Sequence, residues 1–153
     1  MLRISKLADY ATVIMVYLSR RAPKLSSARE VASFTHLALP TVSKILKKLN
    51  AAGLLHSVRG VAGGYSLQFP AAEISIAQIV YAVDDSRGLT ECSWHNGACS
   101  LQSVCQIKGN WQAISQAVDA ALDSVSLETL AKPVMPAANI LQVEKLASGV
   151  RRG

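Results

Sequence analysis

From Ser5 to Arg21 the apolar positions Leu7, Tyr10, Ala11, Ile14, Tyr17 and Leu18 recur at three- and four-residue steps, which places them on one face of a helix. Pro23 ends that helix, and Ser26 and Ser27 offer capping oxygens to a second, short one carrying Ala28, Val31, Ala32 and Phe34. After the break His36-Leu37-Ala38-Leu39, Pro40 stands where a helix tolerates proline best, and Val42, Ile45, Leu46 and Leu49 form a stripe that Gly53 stops. This third helix carries Thr41, Ser43, Lys44, Lys47 and Lys48 away from its stripe. Leu54–Val58 and Tyr65–Phe69 predict two short strands joined by the glycine-rich tip Arg59-Gly60-Val61-Ala62-Gly63-Gly64. Glu73–Val83 predicts a fourth helix.

Two short helices across a four-residue break, then a β-hairpin, outline a winged helix-turn-helix. Residues Gln106–Leu130 continue as one long helical pattern with Trp111, Ile114, Val118, Leu122 and Val125 on one side, extending roughly 35 Å at ~1.5 Å per residue. So long a stripe needs a partner, and the same helix of a second chain about a twofold axis supplies one; a dimer also suits palindromic DNA half-sites. The expected fold is therefore mainly α, a winged helix-turn-helix with a small β-hairpin wing and a long C-terminal dimerisation helix. Residues 1–84 would form the DNA-binding domain, 85–109 a cysteine-bearing loop, 110–131 the dimerisation helix and 132–153 a flexible tail.

With 153 residues, half of them hydrophobic and 17% charged, the chain is expected to be one globular domain with an appendage. The run Ala11–Leu18 is too short to span a bilayer. Arg3, Lys6 and Asp9 interrupt any apolar signal stretch, so a cytoplasmic location is expected. The net charge of +6 is unevenly spread: residues 1–70 hold ten Lys/Arg against Asp9 and Glu30 alone, whereas residues 71–153 hold six against eight. The N-terminal half thus faces a polyanion, by counterion release, or is simply a solvated basic surface.

In a helix-turn-helix the third helix enters the major groove by its N-terminal end, with Pro40, Thr41 and Ser43 near base edges and Lys44 and Lys47 near phosphates. Ser27 serves as a cap, and the positive end of its helix is also a phosphate seat. Arg59 and Gly60 lie at the wing, where glycine admits positive φ and a guanidinium can enter a narrow minor groove. Gly60-x-x-Gly63-Gly64 lacks the spacing of a nucleotide-binding loop and leads into a strand.

All three cysteines fall between positions 92 and 105, as Cys92-x6-Cys99-x5-Cys105. An odd number in a reducing compartment points away from structural disulfides. Clustered thiolates are soft donors for an iron-sulfur cluster, zinc or copper(I). His95 would complete a tetrahedral zinc set with Cys92, Cys99 and Cys105, giving a metal-stabilised interaction module without sensing. A thiol-redox enzyme is disfavoured because there is no C-x-x-C, and His36, His56 and His95 make no catalytic arrangement.

The opening M-L-R-I-S-K-L-A-D-Y, the turn and helix L-P-T-V-S-K-I-L-K-K-L, the wing S-V-R-G-V-A-G-G-Y, the A-V-D-D segment and the three cysteines resemble the IscR/NsrR-type winged-helix transcription regulators. The resemblance spans residues 1–130, and L-P-T-V-S-K with T-E-C-S is most similar to regulators of the SUF iron-sulfur assembly operon. It implies a non-enzymatic homodimer that binds operator DNA and takes no small-molecule substrate. Cys92, Cys99 and Cys105 would bind a labile 2Fe-2S cluster whose state sets DNA affinity and hence transcription of iron-sulfur assembly genes. It also brings Tyr65 into the DNA-facing set, at the end of the wing motif. IscR-like members carry a histidine three residues after the last cysteine, where this chain has Lys108. Asp9 matches the position from which NsrR-like members direct a carboxylate to the partner subunit's cluster, and ferric iron accepts oxygen donors. His95 stays open as the alternative fourth ligand.

Overall fold

The computed structural model describes residues 4–84 and 106–133. Ser5 opens α1 (Lys6–Arg21), its hydroxyl accepting from the Ala8 N–H at 3.1 Å, and Ala11, Ile14, Met15 and Leu18 are buried along it. α2 (Ala28–Thr35) ends at His36, whose φ of 57° is left-handed, a conformation histidine adopts more readily than most side chains. α3 (Leu39–Ala51) follows with Val42, Ile45, Leu46 and Leu49 inside. Gly53, at φ 76°, turns the chain into β1 (Leu55–Val58), which pairs antiparallel with β2 (Gly64–Leu67) in the register Leu55 to Leu67 and Val58 to Gly64. The strands lie within two residues of those expected. A Gln68 N–H donated to Leu54 O at 3.0 Å extends the ladder, and Phe69 lies exposed beyond it.

The fourth helix starts later than its apolar pattern suggested. A 3₁₀ turn at Ala71–Glu73 precedes α4 (Ile76–Val83), because Ser75 and Gln78 form a reciprocal capping box that fixes the helix start. The long helical pattern also departs from expectation. It is split into α5 (Lys108–Asp123) and α6 (Leu127–Ala131). The cause is main-chain pairing: Ile76 N–H donates to Val125 O at 2.9 Å and Leu127 N–H to Ile74 O at 2.7 Å. Those groups are then unavailable to a continuous helical ladder, Ser126 caps the new helix through the Thr129 N–H, and Leu127 enters the core.

One hydrophobic core joins α1, α2, α3, α4, Leu55 of the wing and Leu127 of α6. α5 lies against α4, where the Tyr81 hydroxyl donates to Asp119. Its expected apolar side is divided: Leu122 and Val125 pack on the core, Val118 is half-buried, and Trp111 and Ile114 face outward. Among the described residues no helix is long and apolar enough to cross a membrane.

Candidate nucleic-acid interface

The four buried positions of α3 turn its opposite ridge to solvent. Pro40, Lys44 and Lys47 lie exposed on that ridge, and Thr41 and Ser43 sit half-buried on its two flanks. No side chain caps the first turn of α3, whereas serines cap α1, α2, α4 and α6. Pro40 has no N–H, and the other N–H groups of that first turn are left without a side-chain cap, the arrangement that can receive a phosphate oxygen. Lys48 behaves differently from its neighbours. Its Nζ donates to Val83 O at 2.9 Å, setting a positive charge on the negative end of α4.

The wing is fastened to the segment before α2. Ser26 N–H donates to Tyr65 O at 3.0 Å and Tyr65 N–H to Ser26 O at 2.9 Å. The contact is so close that a Cβ on Gly64 would lie 2.7 Å from the Ser26 carbonyl carbon and oxygen. This clasp brings Ser27 beside the root of the wing. Tyr65 is half-buried and packs against the core, while its main chain holds the wing. The tip turns through Gly60 at φ 116°, closed by Gly63 N–H to Gly60 O at 3.0 Å, and leaves Arg59 and Val61 exposed.

Ser27 is committed to its cap. Its hydroxyl accepts from the Glu30 N–H at 3.2 Å, and its own N–H donates to Glu30 Oε2 at 2.7 Å. The Ser27 main-chain N–H holds the Glu30 carboxyl below its ordinary pKa, helped by the Ser27 hydroxyl and by the charges of Arg21 and Lys24. A carboxylate thus occupies part of the helix end that sequence alone offered to phosphate.

Asp9 lies exposed in the first turn of α1. One turn earlier, the Ser5 hydroxyl donates to Asp84 Oδ1 at 2.8 Å. Asp84 closes α4 and is the last described residue before position 106, so the end of α4 is tied to the N-terminus of α1. Cys92, Cys99, Cys105 and His95 lie outside the described residues. Among the described residues, no three His, Cys, Asp or Glu side chains gather as a metal site. Sequence reading missed the Ser26–Tyr65 clasp, the inward Lys48 and the Ser5–Asp84 bond. Only the Ser27–Glu30 box carried a local signature, the S-x-x-E spacing.

Residues 4–133 match the family model of Rrf2, described as an iron-dependent transcriptional regulator. The chain belongs to the Rrf2 family. It is 30% identical over 110 residues to the HTH-type transcriptional regulator NsrR of Halalkalibacterium halodurans, covering 71% of this chain and 75% of that one. It is 35% identical over 94 residues to IscR of Photorhabdus laumondii, covering 61% and 57% respectively. The structure of CymR, the global cysteine regulator of B. subtilis, superposes with a TM-score of 0.66 at 27% identity, covering 86% of this chain and 97% of that one. The Rrf2 chain described above is accordingly a DNA-binding regulator and not an enzyme. Its mainly α winged-helix fold, hairpin wing and long C-terminal helix are those expected from the sequence.

Proposed function

We propose that this Rrf2 protein is a cytoplasmic homodimer that senses iron-sulfur status and controls SUF-type iron-sulfur assembly genes. The residues proposed to meet operator DNA are Pro40, Thr41, Ser43, Lys44 and Lys47 on α3, with Arg59 and Gly60 on the wing. Ser27 and Tyr65 complete the proposed DNA-facing set, beside the Ser26–Tyr65 clasp that fastens the wing to the segment before α2. Residues 1–84 form the DNA-binding unit, 85–109 the sensing segment, 110–131 the dimerisation element and 132–153 a tail.

Cys92, Cys99 and Cys105 would hold a 2Fe-2S cluster, which supplies a group that oxidants or iron shortage can remove. Three thiolates with one carboxylate are a donor set of suitable chemistry for it. The observation that supports this reading is the Ser5–Asp84 hydrogen bond, which ties the end of α4 to the start of α1, the helix whose exposed Asp9 would reach the partner subunit's cluster. A sensing segment attached at that point acts directly on α1. DNA affinity then follows occupancy through differential binding to two arrangements of the DNA-binding units.

Anaerobic purification of the full chain tests the proposal. Brown protein with iron and sulfide in equal amounts, visible absorption lost on Cys92→Ala, Cys99→Ala or Cys105→Ala, and operator affinity that changes with it are expected. Colourless protein containing zinc bound by Cys92, His95, Cys99 and Cys105, with the same operator affinity after iron and sulfide reconstitution, would overturn it.

A further inference from the structure

Val61 stands at the vertex of the wing with its side chain fully exposed. A lone exposed valine on a broad surface asks for no explanation, but the turn that carries this one has a particular make-up. Beyond Val58 and Gly64, the last pair of the ladder, lie Arg59-Gly60-Val61-Ala62-Gly63, where Arg59 alone bears a polar side chain. A tip built to meet phosphates would carry donors, and Val61 and Ala62 offer no side-chain donor. The tip is also thin. A Cβ on Gly63 would lie 2.2 Å from Val58 O, so the two sides of the hairpin meet main chain to main chain. With glycine at 60, 63 and 64, the blade is little wider than its backbone, a shape that a groove ~6 Å wide accepts. The Ser26–Tyr65 main-chain pair holds its root in place.

We propose that Val61 lies on the floor of the minor groove beside the half-site that α3 reads, and selects A·T over G·C pairs there. The inference rests on the contact of the wing with operator DNA given under the proposed function, and it needs no cluster. In the minor groove A·T and T·A pairs present acceptors alone, whereas a G·C pair adds the guanine N2 amino group. That group stands out from the floor. A branched apolar side chain that lies flat over an A·T pair is lifted off it, and the amino donor loses water without gaining an acceptor. Arg59 favours the same flank by a different route, because a narrow A·T-rich groove is more negative. The two effects are separable: only the discrimination by Val61 responds to an acceptor placed at position 61.

For the test, the full-length wild-type chain selects duplexes from a random-sequence pool, and adenines shielded from dimethyl sulfate at N3 mark the pairs under the wing. At matched salt, exchange of one such A·T pair for G·C should weaken binding about tenfold. Inosine·C, which lacks the amino group, should bind within about twofold of A·T. Val61→Asn, which offers the amino group an acceptor, should cut the G·C penalty below about threefold. Val61→Ile should keep the penalty, and Arg59→Ala should keep it while lowering affinity for every duplex. Because Val61 is fully exposed, its variants should unfold at the wild-type urea midpoint. Equal losses for G·C and inosine·C, a penalty that Val61→Asn retains, or one that vanishes only with Arg59→Ala would overturn the assignment and leave the wing contact standing. An absence of shielded adenines beside the half-site would overturn the wing contact as well. A chain that selects no duplex would remove the operator reading itself.

Discussion

Leu127 and Leu130 stand three residues apart in α6, on neighbouring positions of one short helix. The way α6 docks on α1 gives them different burial. Leu127 is fully buried against α1 and Ile74, whereas Leu130 is 42% exposed. Leu127→Ala should cost about 2–5 kcal/mol by lost burial and a residual cavity. That is a large part of the ~5–15 kcal/mol stability of a typical domain. At ~2–4 °C per kcal/mol for a chain of this size, a 3 kcal/mol loss lowers Tm by roughly 6–12 °C. Leu130→Ala, losing only part of a side chain's burial, should cost under about 1 kcal/mol of intrinsic stability. Urea unfolding at several protein concentrations measures both, since a cost arising from association moves the midpoint with concentration. Equal, concentration-independent losses for the two variants would refute the docked α6.

Glu30 has a folded pKa lowered from 4.5, so its stabilising contribution is complete above 4.5 and disappears as pH falls through the lowered value. The stability difference between wild type and Glu30→Gln, followed by acid titration, should shrink over that window; a constant difference would count against the capping carboxylate. Gly64→Ala forces a methyl group into the Ser26 backbone and should cost about 1–3 kcal/mol together with operator affinity, measured by unfolding and by DNA titration. Lys44→Ala and Lys47→Ala should each lower the slope of log affinity against log salt by about 0.9 per phosphate lost. Lys48→Ala, whose cation sits on Val83 O, should leave the slope unchanged and reduce thermal stability.

Much of the architecture was legible because it is written locally. The 3.6-residue stripes of α1 and α3, Pro40 inside the start of α3, and Gly53 at its end are signals carried by neighbouring residues. The hairpin was legible for the same reason: Gly60 and Gly63 occupy positions where a side chain would be strained or would strike Val58 O. The break at Ser124–Ser126 escaped notice because its cause is long-range. Val125 and Leu127 pair with Ile76 and Ile74, about fifty residues earlier, while the apolar spacing through the break still fits a helix. At the candidate interface, Lys44, Lys47 and Arg59 are exposed as expected. Lys48 looked equivalent in sequence and is not, since only the packing of α3 against α4 brings it to Val83. Ser27 illustrates the converse: its S-x-x-E partner was visible, yet the positive helix end was offered to phosphate as well as to the cap.

The joint between Ser26 and Tyr65 is made entirely of peptide groups, so mutation of exposed side chains leaves it intact. If α3 and the wing meet DNA as proposed, base preference can therefore drift at Thr41 or Ser43, and the hairpin tip can lengthen or shorten beyond Arg59, without resetting the angle between the wing and the helices behind it. In the proposed homodimer each subunit would then be a rigid calliper jaw, and a signal that alters promoter occupancy would have to act on the gap between jaws.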